Sequence, residues 1–205
     1  MSKEIVIATG NPGKLDEFRK ILGSETFHFK TLKDIQFHAD IVEDGDTFEA
    51  NALIKARTIH QFHGGSVLAD DSGLEVDALG GAPGIYTARF AGVGASDEAN
   101  HQKLLKELQG VTEDSDRGAK FVCVLAFIND QGEEFLFRGE VPGLIVRKPR
   151  GDQGFGYDPV FAPIRINEQG QESTEKTFAQ MSHQEKKADS HRGRAIAKLS
   201  KSNLL

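Results

Sequence analysis

The sequence predicts an α/β protein built on a mixed sheet. Three observations carry that expectation. Short apolar runs read as buried strands: IVIA at 5–8, VLA at 67–69 and FVCVLAFI at 121–128. Helix-period patterns separate the first of these, and a meander of strand patterns follows residue 120. The chain has 205 residues, 38% hydrophobic and 27% charged, which suits one soluble domain over 1–205 with room for a sizeable core.

The elements follow in order. Residues 4–8 read as a strand, and Thr9-Gly-Asn-Pro-Gly-Lys14 is the turn leaving it. From Leu15, the spacing of Leu15, Phe18, Ile21 and Leu22 predicts a helix that Gly23 stops. Strand, glycine loop and helix N-terminus form a setting that attracts anions. The loop is no Walker A motif, because two residues separate Gly10 from Gly13 and Leu15 follows Lys14. A short strand is expected at 27–30, then a loop with Asp40, Glu43 and Asp44. Asp46 and Glu49 fit a capping box, opening a helix whose buried face is Phe48, Ala52, Ala56, Ile59 and Phe62. Gly64-Gly65 ends it. His60 and His63 lie on this helix without a third ligand at metal spacing.

The stretch 67–89, VLADDSGLEVDALGGAPGIYTAR, is the most unusual in the chain. An apolar strand is expected to stop at Asp70 and Asp71, followed by Ser72, Gly73 and a glycine run. Such an ending can hold a hard divalent cation, or it can be a solvated turn. Ser96 is expected to cap the next helix, which carries Leu104, Leu105 and Leu108 and closes at Gly110. Strands at 120–129 and 134–138 form a hairpin about the turn 130–132, and 141–146 is expected as a third strand. Gly151-Asp-Gln-Gly-Phe-Gly-Tyr-Asp-Pro159 is a glycine loop whose aromatics could stack on a flat ligand. Ser182 and Glu185 fit another capping box, and 186–201 is a cationic helical region with Ala195, Ile196 and Leu199 inside.

Composition narrows the function. The apolar run at 121–128 is too short to span a membrane, and the start of the chain lacks signal-peptide features. The lone Cys123 sits in that run and reads as core filling. A cytoplasmic protein with no membrane partner is expected. The net charge of −6 argues against a nucleic-acid partner. Acids cluster at 40–49 and 70–77, while bases gather at 147–150 and 186–201, a division suited to a metal-bound polyphosphate. Lys14 and Lys55 add cations near the acidic clusters. Phosphoryl chemistry needs such cations, a metal and a group to deprotonate water. The residues alone therefore point to a metal-dependent nucleotide hydrolase.

Five motifs in order extend the reading: Thr9-Gly-Asn-Pro-Gly-Lys14; the Glu43 loop with Asn51-Ala-Leu-Ile-Lys-Ala-Arg57; Ala69-Asp-Asp-Ser-Gly-Leu74 with Gly80-Gly-Ala-Pro-Gly84; Gly154-Phe-Gly-Tyr-Asp-Pro159; and Ser190-His-Arg192. Nearly the whole chain thereby resembles the inosine triphosphate pyrophosphatase family, enzymes acting on non-standard purine nucleoside triphosphates. The resemblance implies hydrolysis of ITP, dITP and XTP to the monophosphate and pyrophosphate, with Mg²⁺, in a homodimer. It also implies an elongated α/β fold, with a long mixed sheet flooring a cleft between two lobes. Thr9, Asn11 and Lys14, in the loop with Gly10, Pro12 and Gly13, would contact the triphosphate, assisted by Lys55. Glu43, Asp70 and Asp71 would hold Mg²⁺, with Asp71 as general base and Ser72 touching substrate. Phe155 would stack on the base beside Gly156, Tyr157 and Asp158. Lys186, His191 and Arg192 would close over base or phosphates, with His191 and Arg192 as donors toward a 6-keto oxygen.

Three positions depart from that pattern: a polar insert within 164–176, Gln180 in place of Glu, and Asp189 before Ser190. The insert reads as a surface loop, and Asp189 bears on affinity more than on the reaction. Two other readings stay open, a phosphatase cleaving at the γ-phosphorus and a nucleotide sensor without turnover. The two adjacent acids argue against the sensor, since extra negative charge hinders plain phosphate binding.

Overall fold

The computed structural model describes residues 3–23, 27–166, 170, 172–182, 184–186, 190–202 and 204–205. Strand β1 (Lys3–Ile7) pairs in parallel with β2 (Phe27–Thr31), Ile5 opposite Phe29, and with β3 (Ser66–Val76), Ile5 opposite Ser66. Parallel neighbours need crossover connections, and helices α1 (Pro12–Leu22) and α2 (Phe48–His63) lie in them. Strand β4 (Pro83–Gly84) runs antiparallel to β3, and β7 (Phe161–Pro163) antiparallel to β6 (Glu134–Ile145). With β5 (Gly118–Ile128), the strand order among the described residues is β2-β1-β3-β5-β6-β7, β4 pairing β3 off that path. Both pairing senses occur, so the sheet is mixed, as the sequence predicts. A separate antiparallel pair, β8 (Arg165–Ile166) and β9 (Glu172–Ser173), occupies part of the polar insert. Its residues 167–169 and 171, and Asp189, lie outside the described residues.

Several boundaries differ from the sequence expectation, each for a local reason. Helix α1 starts at Pro12 because Asn11 caps it, its Oδ1 accepting the N–H groups of Gly13 and Lys14. Helix α2 is capped by Thr47, not Asp46: the Thr47 hydroxyl accepts the Ala50 N–H, while Glu49 pairs with Arg138 at 2.8 Å. Phe62 is exposed and meets Phe37 edge-on. Strand β6 runs unbroken over the stretch read as two strands, because Gly139 between charged neighbours is buried in the strand and masks the alternation. The cap Ser96 on α3 (Asp97–Glu107) and the reciprocal Ser182–Glu185 bonds match expectation.

The chain forms two compact units, each assembled from separated segments. The first comprises Met1–Asp71, Cys123–Gly139 and Arg192–Leu205. Its core joins Ile5, Ile7, Phe18, Leu68, Cys123, Leu125 and Phe127 to Ala195, Ile196 and Leu199 of α4 (His191–Lys201). Cys123 is fully buried there, which pushes its thiol up to about 12, so it packs as an inert apolar side chain. The second unit comprises Ser72–Val122 and Glu140–His191, around Leu74, Leu104, Phe121, Val141, Phe161 and Phe178. No helix of the described residues is long and apolar enough to cross a membrane.

Candidate active site

Strand β3 does not stop at its acids. It continues to Val76, with Leu74 and Glu75 paired to Gly84 and Pro83 of β4, so Gly73 is accommodated inside the strand. Successive strand side chains point to opposite faces, and the two aspartates accordingly take different partners. The Asp70 carboxylate lies 2.9 Å from Lys14 Nζ and 3.1 Å from Arg192 Nη2, and Arg192 also pairs with Glu17 of α1. Asp71 lies 3.4 Å from Lys55 Nζ, which sits 2.6 Å from Glu43. The first unit thus contains two charge clusters, Lys14–Asp70–Arg192–Glu17 and Asp71–Lys55–Glu43.

The clusters set opposite carboxyl affinities. Burial would raise the Asp70 pKa, but Lys14, Arg192 and Lys55 hold it well below the usual carboxylate range. For Asp71, burial outweighs Lys55 and Lys14, and with Glu43 and Asp70 nearby its pKa is raised. Burial would lower the Lys55 pKa, yet Asp71, Asp70 and Glu43 together raise it, so it stays cationic. Asp71 Oδ2 is buried and makes no hydrogen bond among the described residues. A hard divalent cation favours such a carboxylate oxygen, so Asp71 suits one, with the half-buried Glu43 across Lys55 from it; among the described residues no group of three His, Cys, Asp or Glu side chains stands ready to hold a metal ion.

In the Thr9–Lys14 loop, Gly10, Asn11 and Pro12 are exposed, and Thr9, Gly13 and Lys14 are half-buried. Thr9 Oγ1 accepts the Asn11 N–H, and the first free N–H groups of α1 go to Asn11 Oδ1. An anion at this helix end has to share those donors with Asn11. Gly10 has open space where a side chain would begin.

In the second unit, the loop after β6 is held by its own carboxylate. Asp158, buried, accepts the Phe155 N–H at 2.9 Å and lies 2.5 Å from Lys186 Nζ. Lys186 in turn stands 5.1 Å from the Phe155 ring centroid and 5.4 Å from that of Phe178. Phe155 is 36% exposed, whereas Tyr157 is buried with its hydroxyl donating to Thr87 O at 3.0 Å, and burial raises its pKa. Gly154 has φ +82°, and a Cβ there would lie 2.0 Å from Asp158 Oδ2, so the loop requires glycine. The Gly156 N–H donates to Asp97 at 2.7 Å. His191, buried, stacks on Phe121 with centroids 4.8 Å apart. Ser72 is half-buried in β3.

Three contributors were given no role by the sequence. Glu17 is one, since nothing local signals a partner 175 residues away. Asn51 is another: buried in the first turns of α2, its Oδ1 accepts the Gly45 N–H at 2.9 Å and so tethers the Glu43 loop. A polar residue on the buried face of an amphipathic helix was the available signal. Asp97, at the start of α3, is the third.

Comparison with known proteins bears on the fold and the family. The sequence profile of the Ham1 family matches residues 5–202. A dITP/XTP pyrophosphatase of Bacillus licheniformis is 48% identical over 198 residues, 97% of this chain and 96% of that protein. The dITP/XTP pyrophosphatase of Bacillus subtilis is 45% identical, with coverage of 97% and 96%. Among solved structures, the Staphylococcus aureus Ham1 protein superposes with a TM-score of 0.83 at 42% identity, covering 98% of this chain and 97% of that one. A Coxiella burnetii HAM1 protein gives 0.83 at 40% identity, covering 98% of each chain. Motif order, fold and near-complete coverage converge, and the chain belongs to the Ham1 family.

Proposed function

We propose that the protein hydrolyses non-standard purine nucleoside triphosphates, ITP, dITP and XTP, to the monophosphate and pyrophosphate. The observation that carries this reading is Asp71: a buried carboxylate with a raised pKa and an oxygen without a hydrogen-bond partner, next to a buried lysine. A base of that kind accepts a proton readily. The names of its relatives and the motif order support the substrate class. In this reading Asp71 takes the proton of the water that attacks the α-phosphorus, and pyrophosphate leaves. Lys14 and Lys55 neutralise charge on the phosphate oxygens, while Arg192, buried between Asp70 and Glu17, holds the Asp70 carboxylate that Lys14 also meets. Glu43 and Asp71 would hold Mg²⁺, with Asp70 organising the cations beside them. When bound, the ion supplies further neutralisation of phosphate charge. Phe155 takes the purine face, and Lys186 and His191 are donors for a 6-keto oxygen, which adenine lacks. Thr9, Asn11 and Ser72 complete the contacts. The chain acts as one domain and as a homodimer in the cytoplasm.

Hydrolysis in ¹⁸O-labelled water tests the reaction. Label in the monophosphate is expected. Label in pyrophosphate, or in orthophosphate released with the diphosphate, would overturn attack at the α-phosphorus. ITP binding with no turnover would leave a sensor.

A further inference from the structure

Helix α3 reaches two loops of its own unit through residues three apart, which lie near one another on a helix surface. Asp97 accepts the Gly156 N–H at 2.7 Å. Asn100 accepts the Ala91 N–H at 2.7 Å and donates to Ala88 O at 3.2 Å. Lys103 donates to Phe90 O at 2.8 Å. The two loops are also tied to each other, because the Tyr157 hydroxyl donates to Thr87 O and Thr87 Oγ1 donates to Gly84 O. The helix is therefore a splint along the 84–91 loop, and through Asp97 it also reaches the loop that carries Phe155.

At Gly156 the splint meets a backbone with few other restraints. Its φ is +63°, and nothing stands within 4 Å of where a Cβ would be. The N–H groups of Phe155 and Gly156 are each held by a carboxylate, Asp158 for the first and Asp97 for the second. Asp158 is buried and comes from within the loop, whereas Asp97 is exposed and belongs to a separate helix. Asp97 also lies near enough to Tyr157 to bear on its hydroxyl.

We infer that Asp97 is a positioning residue for purine recognition, fixing through the Gly156 N–H the pose in which Phe155 meets the base. This rests on the functional reading above, in which Phe155 stacks on the purine. An ordered stacking face serves substrate and transition state alike, so its loss falls on KM and not on kcat.

The test compares Asp97→Ala, Asp97→Asn and Glu98→Ala in the full chain with Mg²⁺ and ITP. Glu98 shares the first turn of α3 and pairs with Gln102 on the same helix, so it controls for lost charge at the helix start. For Asp97→Ala, KM is expected to rise about tenfold with kcat within about twofold of wild type, the size of a lost charge-assisted hydrogen bond. Asp97→Asn, whose amide oxygen can accept the same N–H, recovers most of the loss. Glu98→Ala keeps the wild-type KM. Amide hydrogen exchange over 154–158 is expected to quicken in Asp97→Ala alone, a readout that needs no substrate. An unchanged KM and unchanged exchange in Asp97→Ala, or an equal effect in Glu98→Ala, would overturn the inference while leaving ITP hydrolysis intact. A fall in kcat alone would also overturn it. Absence of pyrophosphate release by wild type instead overturns the functional reading, and loop exchange then judges the contact by itself.

Discussion

Burial acts on both Asp70 and Asp71, yet among the described residues two cations meet Asp70 at close range and one, Lys55, meets Asp71. Their substitutions should therefore diverge. Asp71→Asn is expected to abolish most turnover while nucleotide binding survives, measured by pyrophosphate release beside calorimetric titration; wild-type turnover would place the base elsewhere. Asp70→Asn should instead destabilise the metal-free protein, by about 3 kcal/mol at pH 7, since it strips Lys14 and Arg192 of a buried counter-charge. The sign follows from the lowered Asp70 pKa. A carboxyl with a depressed folded pKa stabilises above its unfolded value of about 3.9 and loses that contribution as pH falls through the folded value. Urea melts should show the gap between wild type and Asp70→Asn at pH 7, closing only as the pH drops below about 4. A gap that widens in acid would refute the assignment.

At the scale of elements, the loop 151–159 is the most demanding. Gly154→Ala places a methyl against Asp158 and forces a side chain to φ +82°. It should raise the KM for ITP more than about tenfold while moving the melting temperature only slightly, since the strain falls on a loop. A wild-type KM would mean that the loop takes no part in recognition. Elements of this kind were legible beforehand to different degrees. Strands β1 and β5, the caps at Ser96 and Ser182 and the stop at Gly23 follow from local pattern and cap chemistry. The continuation of β3 past its acids was not legible, because the pairing to β4 that sustains it comes from residues further along the chain. The choice of Thr47 over Asp46 turned on one residue of offset, which sequence patterns resolve poorly. Among the site residues, Lys14, Lys55, Asp70 and Asp71 were legible as types at motif positions. Their division into two charge clusters was not, since Arg192 and Glu17 enter from distant segments.

For the whole molecule, the proposed homodimer gives a direct expectation. Sedimentation equilibrium should return twice the 22.4 kDa chain mass at micromolar concentration, and a monomer mass throughout would remove the dimer from the proposal. The composition of the first unit has another consequence, for the order in which the chain matures. Its opening 71 residues contain Lys14, Glu17, Asp70 and Asp71, but Arg192 and the apolar residues of α4 that close its core belong to the last segment. During synthesis, Asp70 waits for its second counter-charge until the chain has grown by a further 122 residues, and loop closure over that span is slow. The first-made segment of that unit therefore waits unfinished, and the charge cluster beside the proposed base is completed only once Arg192 has been added.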